Sequence, residues 1–432
     1  MEWYFKGVFV ALAIIGLLAI RMPLGFVFGV VGTAGIIITA GPAGCVALVQ
    51  SLHDMLSDFV LITIPLFVLM AELMSAGGFI PDLYTSVEKW AGRLRGSLSI
   101  ATIIACAIFA AVCGSSYVTA ASLGRMTMPE MLDRAYDKRL VAGSIAAGGS
   151  LGILIPPSLA FVIYGYMSGT SIAALFIAGV IPGILLASLF VICIIILTKL
   201  FPNVAKPGSK VKLREKFLSS VSIVPVAILA VALLGSIYWG IATPAEAAAV
   251  GCIFSFLLSL LYRRLNWQML AMALRRTVAT SGFLLLLMGT AKILGFMMAK
   301  AEIMYGLQHI LSALPKWLFI LTIYFSVAVM GLFLEGTSII VLSTPIFAPA
   351  VSAVGIDLVW YGVVLVLFIE IALLTPPVGM NCYIVAEVGK SYGIKLEDVF
   401  RGIIPFLLAL GIAVLLVTLW PSLALWLPST MR

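Results

Sequence analysis

Ten long apolar stretches, separated by short polar punctuation, constrain this chain more than any other feature. They run near 7–20, 24–41, 60–78, 140–167, 174–200, 218–240, 244–262, 280–298, 360–389 and 402–425. A helix crossing a bilayer needs about 20 mostly apolar residues, and within hydrocarbon its backbone polar groups must be satisfied internally. The pattern predicts an all-α polytopic membrane protein. Composition agrees: 63% of the 432 residues are hydrophobic and 10% are charged, where a soluble domain carries about 25% charged residues. A secreted enzyme, a nucleic-acid binder and a signalling module are excluded. The six cysteines form no CxxC and lie mostly inside apolar runs, so they read as small buried residues, not disulfides or metal ligands. His53 and His309 have no metal-ligand neighbour at helical spacing. The first stretch does not read as a cleaved signal peptide, because Arg21 and Pro23 stand where a small-residue cleavage site would be.

Two further apolar stretches, 98–131 and 317–352, are broken near their middles by Gly114-Ser115-Ser116 and Gly336-Thr337-Ser338. Taking each as a hairpin that returns to the side it entered sorts the charges. Nineteen of the 26 basic residues then fall on one side, in Arg21 and the segments 81–97, 132–139, 203–217, 263–276 and 390–401. Lys6, Lys300, Lys316 and Arg432 fall on the other. By the positive-inside rule the basic loops face the cytoplasm and both termini lie outside. The net charge of +8 thus marks one membrane face and implies no nucleic acid.

The halves share landmarks in one order. Pro23 matches Pro244, Gly114-Ser115-Ser116 matches Gly336-Thr337-Ser338, Asp137 matches Asp357, Pro156-Pro157 matches Pro376-Pro377, and Ile181-Pro182 matches Ile404-Pro405. Each half has an odd number of full spans, so the second must lie inverted relative to the first. This predicts an inverted-topology repeat, residues 1–215 and 216–432. The first half would hold scaffold helices (7–41), an arm (42–59), hairpin one (98–131) and a broken helix (140–167). The second would hold scaffold helices (218–262), an arm (263–279), hairpin two (317–352) and a broken helix (360–389). The arms keep apolar periodicity and read as interfacial helices.

Chemistry is expected at the breaks. Proline removes a backbone donor and clashes with the preceding turn, and carbonyls so freed cannot stay bare in hydrocarbon. Clusters of oxygen suit a hard cation, and half-helix N-termini beside them suit an anion. Charges inside the membrane add candidates. Lys292, in the span 280–298, fits an anion contact or a snorkelling lysine. Arg125, nine residues past the first tip, fits bidentate recognition of a carboxylate or sulfonate, or snorkelling. Glu335 abuts the second tip, where a helix N-terminus or a cation would hold it ionised. Asn381 follows the second Pro-Pro and fits either a substrate or a freed carbonyl. Glu72, Glu246, Glu370 and Glu387 also fall in spans, where helix pairing or scaffold contacts are the expected use.

The run Gly114-Ser115-Ser116-Tyr117-Val118-Thr119-Ala120-Ala121 with Met128-Pro129-Glu130-Met131 resembles the first hairpin of the large membrane subunits of TRAP (tripartite ATP-independent periplasmic) transporters. Met330-Gly331-Leu332-Phe333-Leu334-Glu335 with Thr344-Pro345 and Pro349 resembles their second hairpin. Gly355-Ile356-Asp357, Glu370-Ile371 and Leu374-Thr375-Pro376-Pro377-Val378-Gly379-Met380-Asn381 carry the most specific similarity. The resemblance implies sodium-coupled uptake of a small organic anion (a carboxylate, sugar acid or sulfonate) by an elevator movement, in a bacterial or archaeal cytoplasmic membrane. It implies one sodium at Ser115, Ser116, Gly152, Ile155 and Pro157. A second is implied at Gly336, Thr337, Thr375, Pro377 and Gly379. No organic cofactor and no other metal are expected. The implied partners are a small four-helix membrane subunit and a periplasmic substrate-binding protein. A stand-alone divalent-anion/sodium symporter is the nearest alternative. An intramembrane serine hydrolase is remote, since both histidines fall in segments expected outside, away from Ser115 and Ser116.

Overall fold

The computed structural model describes residues 2–41, 43–208, 212–221 and 223–431. Pro42 of the first arm, Lys210 of the basic segment 203–217 and Arg432 lie outside the described residues. Among the described residues the fold is helical, with no strand beyond an isolated bridge between Arg95 and Pro207.

Among the described residues, six helices are long and apolar enough to cross a membrane: Phe59–Ala76, Ile172–Leu200, Pro244–Leu261, Trp267–Lys300, Gly336–Ala353 and Leu396–Leu419. Other expected spans fall on shorter helices such as Trp3–Ala19, Leu24–Ala40 and Val224–Tyr238. Two expected spans are interrupted in mid-course. The stretch 140–167 becomes Lys138–Ser150, a 3-10 turn Leu151–Ile153 and Leu159–Ser168, and 360–389 becomes Leu358–Leu374 and Met380–Gly389. The Pro-Pro pairs sit in both gaps, where their missing N–H groups end the helical ladder.

The arms differ from the sequence expectation. The first is a separate helix, Ala43–Leu56, followed by Asp58, whose carboxylate accepts the Val60 N–H at 2.9 Å and caps the turn Phe59–Ile62. In the second half, arm and span run on as one 34-residue helix, Trp267–Lys300. That helix contains no Pro, Asp or Asn, so nothing in it stops the ladder as Asp58 does in the first half.

Leu24–Ala40 and Thr63–Ala76 both pack on Trp267–Lys300, and Pro244–Leu261 packs on Thr63–Ala76. The hairpins and broken helices form a second cluster, in which the halves interleave. Leu159–Ser168 packs on Gly336–Ala353, and Met380–Gly389 packs on Ser116–Asp133, so each half-helix beyond a break lies against the other half's hairpin. Lys138–Ser150 crosses Leu396–Leu419 at Gly143 and Gly402, where a Cβ on either glycine would strike the other helix's backbone. Small residues let helices approach this closely when apolar solvent supplies no hydrophobic drive. Trp3–Ala19 buries no residue, and Phe5, Phe9, Leu12 and Ile15 are exposed on it. Such bare apolar faces suit lipid or a protein partner, not water.

At the basic end of hairpin one, Arg134 bonds Glu130 at 2.7 Å and Glu88 of the helix Phe79–Ala91 at 2.8 Å. Arg264 ties the other end of that helix through Asp82 at 2.6 Å.

Candidate functional site

The first tip is a two-residue turn. Ser97–Cys113 ends at Gly114, whose φ of +61° is left-handed, and Ser115 is extended before Ser116–Asp133 begins. Glycine tolerates that conformation without a Cβ penalty, and space requires it too. A Cβ on Gly114 would lie 2.8 Å from the Pro157 carbonyl, and one on Gly152 would lie 2.6 Å from the Ser115 carbonyl. The tip and the break therefore meet backbone to backbone. Ser116 is buried, and the Ser115 carbonyl accepts the Thr119 hydroxyl at 2.8 Å. Pro156 and Pro157 are buried, and the Ser158 hydroxyl closes the break by donating to the Ile153 carbonyl. Of the expected first-site residues, Ser115, Ser116, Gly152 and Pro157 gather here. Ile155 lies at the same break with its side chain toward Gly183.

The second tip is built around a charge. Glu335 is the N-cap of Gly336–Ala353. One carboxylate oxygen accepts the Ser338 N–H at 2.7 Å and the Ser338 hydroxyl at 2.6 Å. The other accepts the Thr337 N–H at 3.0 Å and the Tyr117 hydroxyl at 3.2 Å. A carboxylate has about four acceptor sites, so none is left over. Gly336 packs on the preceding half-helix, where its Cβ would lie 2.6 Å from Cγ2 of Ile369. Thr375 donates its hydroxyl to the Ile371 carbonyl at 2.7 Å, and a Cβ on Gly379 would lie 3.3 Å from the Thr375 carbonyl. Pro376 and Pro377 are exposed. Thr375, Pro377 and Gly379 thus share one turn, while Gly336 meets Ile369 and Leu373 instead.

Among the described residues, no hydrogen bond or ion pair joins the four residues expected at an anion, Arg125, Lys292, Glu335 and Asn381. Arg125 is exposed on Ser116–Asp133 and has no carboxylate within 4.0 Å among the described residues. Lys292 is half-buried, with its ammonium over the Tyr166 ring at 5.9 Å from the centroid. Tyr166 in turn lines a cleft of about 610 Å³ together with Asp58, Thr63, Thr170, Ser171 and Thr243. Asn381 is fully buried, and neither its Oδ1 nor its Nδ2 has a partner among the described residues.

The remaining membrane carboxylates divide. Glu72 bonds Arg276 at 3.5 Å, and Glu246 forms a capping box with Thr243. Glu387 is exposed. Glu370 is fully buried and accepts the Ser150 hydroxyl at 3.3 Å, with its other oxygen unpartnered. Ser150 and Glu370 are 220 residues apart, as are Pro156 and Pro376. The contact therefore joins equivalent positions and marks where the two broken helices meet. Tyr117 is the residue that sequence reasoning left without a role. It stands in the hairpin-one run, but no local spacing shows that it reaches Glu335.

A family model described as tripartite ATP-independent periplasmic transporter, DctM component, matches residues 11–423. The chain belongs to the DctM family. It is a large membrane subunit of a TRAP transporter, a multi-pass membrane protein and not an enzyme. The C4-dicarboxylate TRAP transporter large permease protein DctM of Pseudomonas aeruginosa is 32% identical over 396 residues, covering 91% of this chain and 92% of that one. The sialic acid TRAP transporter large permease protein SiaM of Vibrio cholerae is 33% identical, covering 96% of each. The isethionate TRAP transporter permease protein DctMQ of Oleidesulfovibrio alaskensis is 32% identical over 93% of this chain and 63% of its own length. Among solved structures, the Alcanivorax borkumensis YdaH transporter matches with a TM-score of 0.62 at 14% identity, over 88% of this chain and 89% of that one. That similarity concerns the fold alone.

Proposed function

We propose that this DctM-family subunit couples the entry of sodium to uptake of a small organic anion across the cytoplasmic membrane. The observation that carries the reading is the backbone contact of the first tip with its break, Gly152 against Ser115 and Gly114 against Pro157. It gathers main-chain oxygens, donors that suit a hard monovalent cation. Ser115, Ser116, Gly152, Ile155 and Pro157 would hold one sodium, and Gly336, Thr337, Thr375, Pro377 and Gly379 a second. Relatives named for C4-dicarboxylate, sialic acid and isethionate transport support an organic acid as substrate.

Arg125, Lys292 and Asn381 are the side chains best suited to meet that acid. An unpaired charge in a spanning helix costs about 2.5–3.5 kcal/mol at the bilayer centre, so Arg125 and Lys292 need water or an anion beside them. Glu335 serves the site by shaping the second tip, since its acceptor positions are filled. In this reading the halves are inverted repeats, the basic loops are cytoplasmic and both termini lie outside. Hairpins and broken helices slide as one body past a scaffold that includes Leu24–Ala40 and Pro244–Leu261. A small four-helix membrane subunit and a periplasmic binding protein complete the transporter. The test is uptake into proteoliposomes holding this chain and the small subunit, with loaded binding protein outside. An inward sodium gradient should drive accumulation, and potassium should not substitute. Equal uptake without sodium rejects the coupling, and equal uptake without the binding protein favours a stand-alone symporter.

A further inference from the structure

The two hairpin tips belong to different halves of the chain, and the hairpins share no broad packing surface. They are nevertheless tied by one side-chain bond. Tyr117, one residue past Ser116, donates its hydroxyl to Glu335 at 3.2 Å across 218 residues of sequence. Glu335 is the group that shapes the second tip, through the Thr337 and Ser338 N–H groups and the Ser338 hydroxyl. Tyr117 supplies the fourth donor to a carboxylate that takes about four. A hydrogen bond weakens steeply as it lengthens or bends, so a shift of the first tip is felt by the carboxylate holding the second.

The link is not a product of the repeat. By the offset that matches Gly114 to Gly336, the counterpart of Glu335 is Cys113 and that of Tyr117 is Ile339. Neither can form the reciprocal bond. A polar tie made once, between elements otherwise duplicated, is an addition to the symmetric frame. Its position beside both breaks gives it one evident use.

We propose that Tyr117 and Glu335 couple the two tips, so that the ion sites at the two breaks form together. A cation that fixes Ser115 and Ser116 also fixes Tyr117, and through it Glu335, Gly336 and Thr337. The reverse holds by linkage. Tyr117 is here a positioning residue, and the inference rests on the sodium reading above.

Sodium dependence of uptake by the reconstituted transporter separates the two. The unaltered protein should show a sigmoidal response to sodium. Tyr117→Phe keeps the ring and loses the donor; its response should flatten to that of two independent sites, with half-saturation raised roughly tenfold, in line with loss of a hydrogen bond to a charged group, and the maximal rate kept. Glu335→Gln combined with Tyr117→Phe should raise half-saturation no further than Glu335→Gln alone. A sigmoid unchanged in Tyr117→Phe, a hyperbolic response in the unaltered protein, or additive effects in the double variant overturns the coupling. Uptake indifferent to sodium in the unaltered protein overturns the sodium reading itself. Should Tyr117→Phe fail to assemble, Tyr117→Trp, which also lacks the hydroxyl, gives the same comparison.

Discussion

The two breaks occupy matching places in the chain and are closed by different means. At the first, backbone meets backbone: Gly114 lies on Pro157 and Gly152 on Ser115, and both prolines are buried. At the second, a carboxylate does the shaping, a Cβ on Gly336 would meet the side chains of Ile369 and Leu373, and both prolines are exposed. The first design depends on the absence of a Cβ, and the second on the presence of a charge. Duplicated helix-breaking signals thus specify where the helices break, while a few unduplicated residues set how each break is closed.

The sharpest way to break this contrast is to add a methyl group to each side. In Gly152→Ala the new Cβ would sit 2.6 Å from a carbonyl oxygen. Backbone cannot rotate away, and overpacking costs about 1–3 kcal/mol, so sodium-driven uptake should fall roughly 10- to 100-fold with the chain still inserted. Gly336→Ala meets Cγ2 of Ile369, and Ile369→Ala in the same chain should restore its activity. No side-chain trimming should rescue Gly152→Ala. Equal losses and equal rescue would erase the distinction.

Removing the charge should weaken the second tip directly, and the first only through Tyr117. Glu335→Gln turns one acceptor oxygen into a donor facing other donors, at about 1–3 kcal/mol for the group left unpaired. A loss of roughly tenfold in apparent sodium affinity is expected in titrations of uptake. Ser338→Ala removes one hydroxyl donor and keeps the N–H, worth about 0.5–1.5 kcal/mol, so the same titration should shift only a few-fold. The smallest effect concerns access. In a background without other cysteines, Pro376→Cys should react with a polar thiol reagent while Pro156→Cys stays protected. Protection of both, or reaction of both, would remove the difference in exposure.

Much of this was legible in the sequence because the signals are local. A Pro-Pro inside an apolar run and a Gly-Ser-Ser inside another each announce a break without help from the rest of the fold. The helical membrane class followed from span length, and the family from the stretch around Pro376 and Pro377. The merged helix Trp267–Lys300 was not legible as one piece, because the charge of Arg263, Arg264, Arg275 and Arg276 resembles an interfacial segment although no residue in it stops a helix. Tyr117 with Glu335, and Ser150 with Glu370, were hidden for another reason. Each joins residues more than 200 positions apart, and only the interleaving of the two halves brings them together. Asn381 was visible as a polar residue beyond a break, but its complete burial without a partner belongs to the tertiary structure.

The central claim is that each break, with its tip, holds one sodium ion. Direct binding of radioactive sodium to the purified assembled transporter tests it. The account predicts two ions per chain in the unaltered protein, with Gly152→Ala lowering occupancy at the first break and Glu335→Gln at the second. Absence of saturable sodium binding, or a stoichiometry untouched by either substitution, would contradict it.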